Sequence, residues 1–252
     1  MLLDVESRDK DVALPNIHRD RFAVYGGRDP RYLPAYSTID VARYLNIPQA
    51  TLHSWVNGRH YQSAGVSKFA KPLIARPHSS SQLSFINLVE AHVLNAIRRN
   101  HKVSLLKVRR AMDFLKRKFN SEHPLAENTF ETDRINLFIQ KYGQLINASQ
   151  DGQLAMRDLL EAYLHRIDRD ISGGAIRLYP FTRKGGADEP RSIVIDPFVS
   201  FGKPVLAGTG IPTAVIAERY KAGENIDELS DDYGRQRSEI EEAIRCELDV
   251  AA

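Results

Sequence analysis

Four short polar side chains, Gln49, Thr51, His53 and Ser54, fall within six residues of one another just after Pro48. The chemistry that such groups offer is recognition, since amides, hydroxyls and imidazoles exchange hydrogen bonds with base edges and phosphates. On a helix beginning at Pro48 they face outward, while Ile47, Leu52 and Val56 anchor it from behind. Arg43, Arg59, Lys68 and Lys71 flank the stretch and would hold phosphates, because phosphate binding needs local positive potential rather than a positive total. An ordinary helical hairpin with a polar exterior is the structural alternative.

Catalytic constellations find little support. His18, His53, His60, His78, His92, His101, His123 and His165 show none of the close pair spacings of a metal site, and no carboxylate joins them in a known motif. Gly202 to Gly210 is glycine-rich but lacks the Lys-Ser or Lys-Thr ending of a phosphate loop, and turn formation accounts for its glycines. Trp55 sits inside a helical apolar pattern and reads as core. A single cysteine, Cys246, rules out a disulfide framework or a cysteine-built zinc site and points to a reducing cytosol. Neither cofactor nor metal is implied, and the expected function is binding, not turnover.

The recognition residues need elements to position them. Ser37 with Asp40 forms a capping box that opens a first helix carrying Ile39, Val41, Ala42 and Leu45 on one face, and Asn46 ends it. Pro48 suits the first turn of a second helix, which Asn57 and Gly58 stop, so the pair reads as a helix-turn-helix. Ahead of it, residues 1–35 carry Pro15, Pro30, Pro34, Gly26 and Gly27 and read as an irregular arm. Behind it, residues 59–83 fit a loop or a small two-stranded wing. Ser84 then caps a helix whose Phe85, Leu88, Val89, Val93, Ala96 and Ile97 share a face, with Asn87, Glu90, Asn95 and Arg98 elsewhere. Ser104 opens another, where Leu105, Val108, Met112, Leu115 and Phe119 make a narrow seam flanked by bases such as Lys107, Arg109 and Arg110.

From Glu127 the texture changes. Ile135, Leu137 and Ile139 alternate with Asn136 and Phe138, and with Leu145 and Ile146 beyond Gly143 they predict a hairpin. Gln153 to Asp170 reads as a helix and Ile176 to Phe181 as a strand, which makes residues 127–183 a small α+β segment. Residues 184–190 have the composition of a linker. The last segment, 191–252, opens with a strand at Ile193 to Ile195 and a turn-rich stretch. Three helices follow, the first ending at Gly223 and the others opened by capping boxes at Asn225 with Glu228 and Ser238 with Glu241. Ile226, Leu229, Ile240, Ala243, Ile244 and Leu248 are their inward positions.

The chain has 252 residues, and its net charge of +3 hides a division. Residues 1–126 hold 20 bases against 10 acids, and residues 127–252 hold 15 against 22. Either nucleic acid meets one half and something else the other, or the charges are a solvated mixture. Between Gly223 and Asp249 stand 10 acids and 3 bases, so the last helices would approach phosphates at an electrostatic cost and suit a protein surface or solvent better. No apolar run approaches the roughly 18 residues of a membrane span, and Met1 to Asp9 mixes acids and bases where a signal peptide would be apolar. The expectation is a cytoplasmic protein, α+β and mainly helical.

Two stretches carry a family resemblance. YSTIDVARYLNIPQATLHSW, followed by SFINLVEAHVLNAIRRNHKVSLLKVRRAMDFL, resembles the MerR-type winged helix-turn-helix, here over residues 36–126. This likeness implies dimerisation through the basic helix after Ser104, with Leu105, Val108, Met112, Leu115 and Phe119 as its seam. The tail RSIVIDPFVSFGKPVLAGTGIPTAVIAERYKAGENIDELSDDYGRQRSEIEEAI resembles the domain of unknown function 433, although Gly210 stands where shorter members carry Arg. Together the two modules are similar to atypical VapB-like antitoxins. That resemblance implies a PIN-type ribonuclease toxin as protein partner, double-stranded operator DNA as a second partner, autorepression, and a homodimer or higher toxin-antitoxin assembly. A one-component regulator sensing a small molecule through the middle segment is the competing expectation.

Overall fold

A computed structural model describes residues 22–63, 65–77, 80–100, 105–127, 135–146, 150–183 and 189–248. Most of the expected arm and residues 184–188 of the expected linker lie outside the described residues. Helix α1 (Thr38–Tyr44) opens on the expected capping box: the Asp40 N–H donates to Ser37 Oγ at 3.1 Å and the Ser37 N–H to Asp40 Oδ2 at 3.2 Å. Asn46, at φ 52°, turns the chain into α2 (Gln49–Asn57), and Gly58, at φ 74°, ends it. A Cβ at Gly58 would collide with the Ala70 carbonyl, so only glycine lets the next strand start there. Strands β1 (Arg59–Ser63) and β2 (Val66–Ala70) form an antiparallel hairpin in which Arg59 faces Ala70 and Ser63 faces Val66.

Val41, Ala42, Leu45, Ile47, Leu52, Trp55 and Val56 fill the space between α1 and α2. Ile39, expected with them, is 62% exposed, because the inner stripe of α1 runs through residues 41, 42 and 45.

Helix α3 (Phe85–Asn100) is the axis of the molecule. Ser84 and Asn87 cap it reciprocally, at 3.1 and 3.2 Å. The expectation of one apolar and one polar face is corrected here: Asn87, Glu90, His92 and Asn95 are buried along with the apolar residues. Elements pack round α3 from Phe85 to Ile97, so its buried polar residues are drawn to protein partners. Asn87 Nδ2 donates to the Ala75 carbonyl at 2.8 Å and Asn95 Nδ2 to that of Leu45 at 3.2 Å. His92 Nε2 lies 3.0 Å from the Tyr163 carbonyl, and Glu90 Oε2 lies 2.9 Å from His123 Nδ1.

Helix α4 (Leu105–Phe119) packs against α5 (Ile135–Ile146), where a strand and hairpin were expected. Ile135, Phe138, Ile139 and Tyr142 are all buried, a spacing that only a helix puts on one side; the short alternation of Ile135, Leu137 and Ile139 misled. The same packing overturns the expected dimer seam. Val108, Met112 and Leu115 are buried in the chain's own core, and Phe119 is half-buried against it, so this stripe is closed to a second copy; the Leu105 side chain lies outside the described residues.

Helix α6 (Gln150–Leu164) crosses α3 and ends before Ile167, which begins β3 (Ile167–Arg169) rather than closing a helix. Strand β3 pairs antiparallel with β4 (Ala175–Leu178). Leu178 exchanges backbone hydrogen bonds with Ile195 at 3.0 and 2.8 Å, which joins this hairpin to β5 (Ile193–Val194) and its partner β6 (Val205–Leu206). Arg166, 3% exposed, donates to the carbonyls of Tyr179, Pro180, Glu189 and Pro190 at 2.7–3.2 Å and thereby ties the two ends of the expected linker to the body.

The C-terminal module closes with α7 (Thr213–Lys221), α8 (Ile226–Tyr233) and α9 (Arg237–Glu247). Asn225 and Glu228 form the expected capping box. The second box is displaced by two residues: the chain enters α9 at Gln236, whose N–H donates to Glu239 at 3.0 Å, and not at Ser238 with Glu241. Leu248, expected inside, is 36% exposed just past the helix end. The described part of the arm docks on this module, with Tyr25 Oη donating to the Pro197 carbonyl at 2.8 Å. Among the described residues no helix is long and apolar enough to cross a membrane.

The His123–Glu90 pair makes stability depend on pH. Burial disfavours the imidazolium, yet the Glu90 hydrogen bond and charge outweigh it and hold His123 above its ordinary 6.5. A folded-state value above the unfolded one means that the protonated pair stabilises fully below about pH 6.5 and that this contribution disappears as pH rises through the raised value. Urea midpoints measured across that range should fall with rising pH, and Glu90→Gln should remove that dependence.

Candidate nucleic-acid interface

Helix α2 presents Gln49, Ala50 and His53 to solvent, with Ser54 half-exposed. Gln49 and His53 are one turn apart on the same face. Ser54 lies beside them, but its hydroxyl already donates to the Thr51 carbonyl at 2.7 Å within the helix. Thr51 departs from the expected outward position. It is 8% exposed, and its hydroxyl accepts from the guanidinium of Arg98 on α3. Thr51 therefore holds Arg98 in place rather than meeting a base.

Arg43 is also corrected. Its Nη1 lies 3.1 Å from Glu247, its Nη2 donates to Tyr44 Oη at 3.3 Å and Asp40 Oδ1 at 3.4 Å, and its guanidinium covers the Tyr44 ring at 5.0 Å. Burial and the Glu247 charge push the Tyr44 phenol up to about 12. A guanidinium so engaged fastens α1 to the end of α9 and has little left for a phosphate.

Of the other expected phosphate holders, Arg59 on β1, Lys68 on β2 and Lys71 just after it are exposed. The fold adds to them. Arg109 reaches from α4 to donate to the Lys71 carbonyl. Burial lowers its pKa, Asp113 opposes that, and the neighbouring charge of Arg59 lowers it further. Two guanidiniums that repel each other make a surface that gains from an arriving anion. Arg76 donates to Asn57 Oδ1 at the end of α2. The sequence offered one unused signal for this strip: no carboxylate side chain occurs between Asp40 and Glu90, whereas Arg59, Lys68, Lys71 and Arg76 all do.

The C-terminal module is built in the opposite sense. Arg219 bridges Glu224 and Asp232, and Arg237 bridges Asp227 and Glu241, so these two bases are already paired with its acids. Gly210 there has open space around its Cβ direction and no left-handed φ, so the local backbone does not require glycine.

Comparison with known proteins agrees with this division. Residues 34–112 match the family model described as "Putative DNA-binding HTH domain", and residues 193–245 match "Protein of unknown function (DUF433)". Over 232 residues, 84% of this chain and 93% of the relative, the sequence is 30% identical to "Putative antitoxin VapB45" of Mycobacterium tuberculosis (strain ATCC 25618 / H37Rv). The chain belongs to the VapB45 antitoxin family. A further relative from the same organism, the uncharacterized protein Rv2308, is 27% identical over 219 residues, 83% of this chain and 88% of its own. The crystal structure of Rv2018 from Mycobacterium tuberculosis superposes with a TM-score of 0.61 at 25% identity, covering 84% of this chain and 98% of that one. In this VapB45 relative the span matched to a DNA-binding helix-turn-helix domain runs from before α1 into α4, which supplies Arg109.

Thr51→Val separates support from readout. Losing the buried hydroxyl should lower stability by about 1 kcal/mol in urea denaturation, the usual net worth of one hydrogen bond. Preference among DNA sequences should stay unchanged in competition gel shifts.

Proposed function

We propose that this chain neutralises a PIN-type ribonuclease by protein contact and represses its own operon by binding operator DNA. The observation that carries the DNA half is that Arg59, Lys68 and Lys71 are exposed on and just after the β1–β2 hairpin that follows α2, on a stretch free of carboxylates between Asp40 and Glu90, with Arg109 meeting the Lys71 carbonyl from α4. In this reading α2 enters the major groove, Gln49 and His53 meet base edges, and the β1–β2 hairpin serves as a MerR-type wing against the backbone. Arg59, Lys68 and Lys71 hold phosphates, with Arg109 behind them. Two copies in a homodimer or larger toxin-antitoxin assembly would set their α2 helices on an inverted repeat about 34 Å apart. Their contact uses a surface other than the buried stripe of Val108, Met112 and Leu115. The family membership supports the antitoxin half, and the acidic C-terminal module supports protein rather than DNA as its partner. Such a protein acts by binding rather than as an enzyme.

Gel shifts over a salt series test the DNA half. Lys68→Ala should weaken binding to all sequences and reduce the slope of log K against log salt by about 1, while Gln49→Ala should mainly relax preference, by roughly 1–3 kcal/mol at one base pair. Unchanged binding in both variants would reject the placement. Co-expression with the adjacent reading frame tests the other half, for which a stable stoichiometric complex is expected and a lone antitoxin is the adverse result.

A further inference from the structure

Thr51 and Arg98 form a contact that the packing of the helix-turn-helix does not require. Thr51 shares the buried side of α2 with Leu52, Trp55 and Val56, where valine would fill the same space without burying a hydroxyl. That hydroxyl accepts from Nη1 of Arg98. The contact forms where α3 leaves the core, for Phe85 to Ile97 are buried and Arg98 is exposed.

The guanidinium is held without being neutralised. Arg43 on α1 and Arg219 on α7 meet carboxylates, whereas Arg98 meets an uncharged oxygen and, among the described residues, no carboxylate. Its full charge remains. The sequence around it offers nothing to cancel that charge: between Asp40 and Asp113 the chain has a single carboxylate side chain, Glu90, which is 1% exposed and lies against His123. With one Nη1–H fixed on Thr51, the other donors of the planar group are left for an acceptor from outside. An arginine ordered in advance also loses less side-chain freedom when that acceptor arrives.

Thr51 marks where this charge stands relative to α2. Ala50 before it is exposed and Ser54, one turn on, is half-exposed, so Thr51 borders the outward side of the helix. Arg98 therefore lies along one edge of that side, not at its centre. We propose that Arg98 holds a phosphate of the DNA backbone and that Thr51 is the residue that positions it, an inference that rests on the DNA half of the reading above. When a helix lies in the major groove, its centre meets base edges and its flanks meet the sugar-phosphate walls. Nη1 stays on Thr51, and the remaining N–H groups of Arg98 donate to phosphate oxygens in the fork geometry that suits a guanidinium.

The test uses the full chain in gel shifts over a salt series, with the duplex upstream of its own reading frame and an unrelated duplex of equal length. Arg98→Gln should weaken both complexes about tenfold, reduce the slope of log K against log salt by about 1, and keep the ratio of the two affinities within about twofold of the parent. Arg98→Lys, which keeps the charge, should restore the slope and part of the affinity. Lys221→Gln, which removes one charge from the end of α7, should change none of these. Thr51→Val loosens the arginine without discharging it, so both complexes should weaken about threefold at the parent's slope. Adding it to Arg98→Gln should cost nothing further, because Thr51 acts on DNA through Arg98. Thermal midpoints of the free single variants should lie within about 4 °C of the parent. A larger fall with an unchanged slope makes Arg98 a brace of the fold and overturns the proposal. Lost preference at one base pair in Arg98→Gln overturns the phosphate role, and additive losses in the double variant overturn the positioning by Thr51. If Lys68→Ala weakens binding and Arg98→Gln does not, the proposal falls and the DNA reading stands. A parent that binds neither duplex even at low salt overturns both.

Discussion

The architecture depends on one constraint: α3 is buried all round from Phe85 to Ile97, and the polar residues there meet partners within the protein. Asn95 takes the Leu45 carbonyl at the end of α1, His92 meets the end of α6 at Tyr163, and Glu90 meets His123 beyond α4. Each bond joins α3 to a different neighbour. A buried polar group left without its partner costs roughly 1–3 kcal/mol, so these contacts specify how the helices sit as well as holding them. The recognition helix inherits its position from that arrangement, since α2 packs on α1 and the Trp55 carbonyl accepts from the N–H groups of Leu73 and Ile74 on the return from the hairpin.

Arginines do the joining between segments. Arg166 gathers four carbonyls around the flanks of residues 184–188, and Arg43 fastens α1 to α9 through Glu247. A planar guanidinium with several fixed donors suits this task better than an ammonium would. The basic front module and the acidic C-terminal module consequently share one continuous core, although their surfaces carry opposite charge. Surface chemistry and core packing are separate questions in this chain. The first follows the charge division read from composition, and the second ignores it.

Local signals were legible where they were strong and short in range. The capping boxes at Ser37 and Asn225, the stop at Gly58 and the hairpin after it all stand where the residues indicated. Reading failed where a partner element changes the meaning of a residue. Thr51 and Arg43 look outward in a sequence pattern, and only the arrival of Arg98 from α3 and Glu247 from α9 turns them into supports. Ile135 to Ile139 is too short a run for alternation to outweigh helical spacing, and it took Phe138 and Tyr142 beside them in the core to settle the matter.

From residues alone came the two modules, the helix-turn-helix, and the basic and acidic halves, because these rest on side-chain type and on spacings within a turn or two. Tertiary structure decided which bases remain free, which apolar stripe is closed to partners, and that Arg98 meets Thr51. Those outcomes depend on contacts between residues as far apart as Arg43 and Glu247, and no local pattern encodes a contact of that separation.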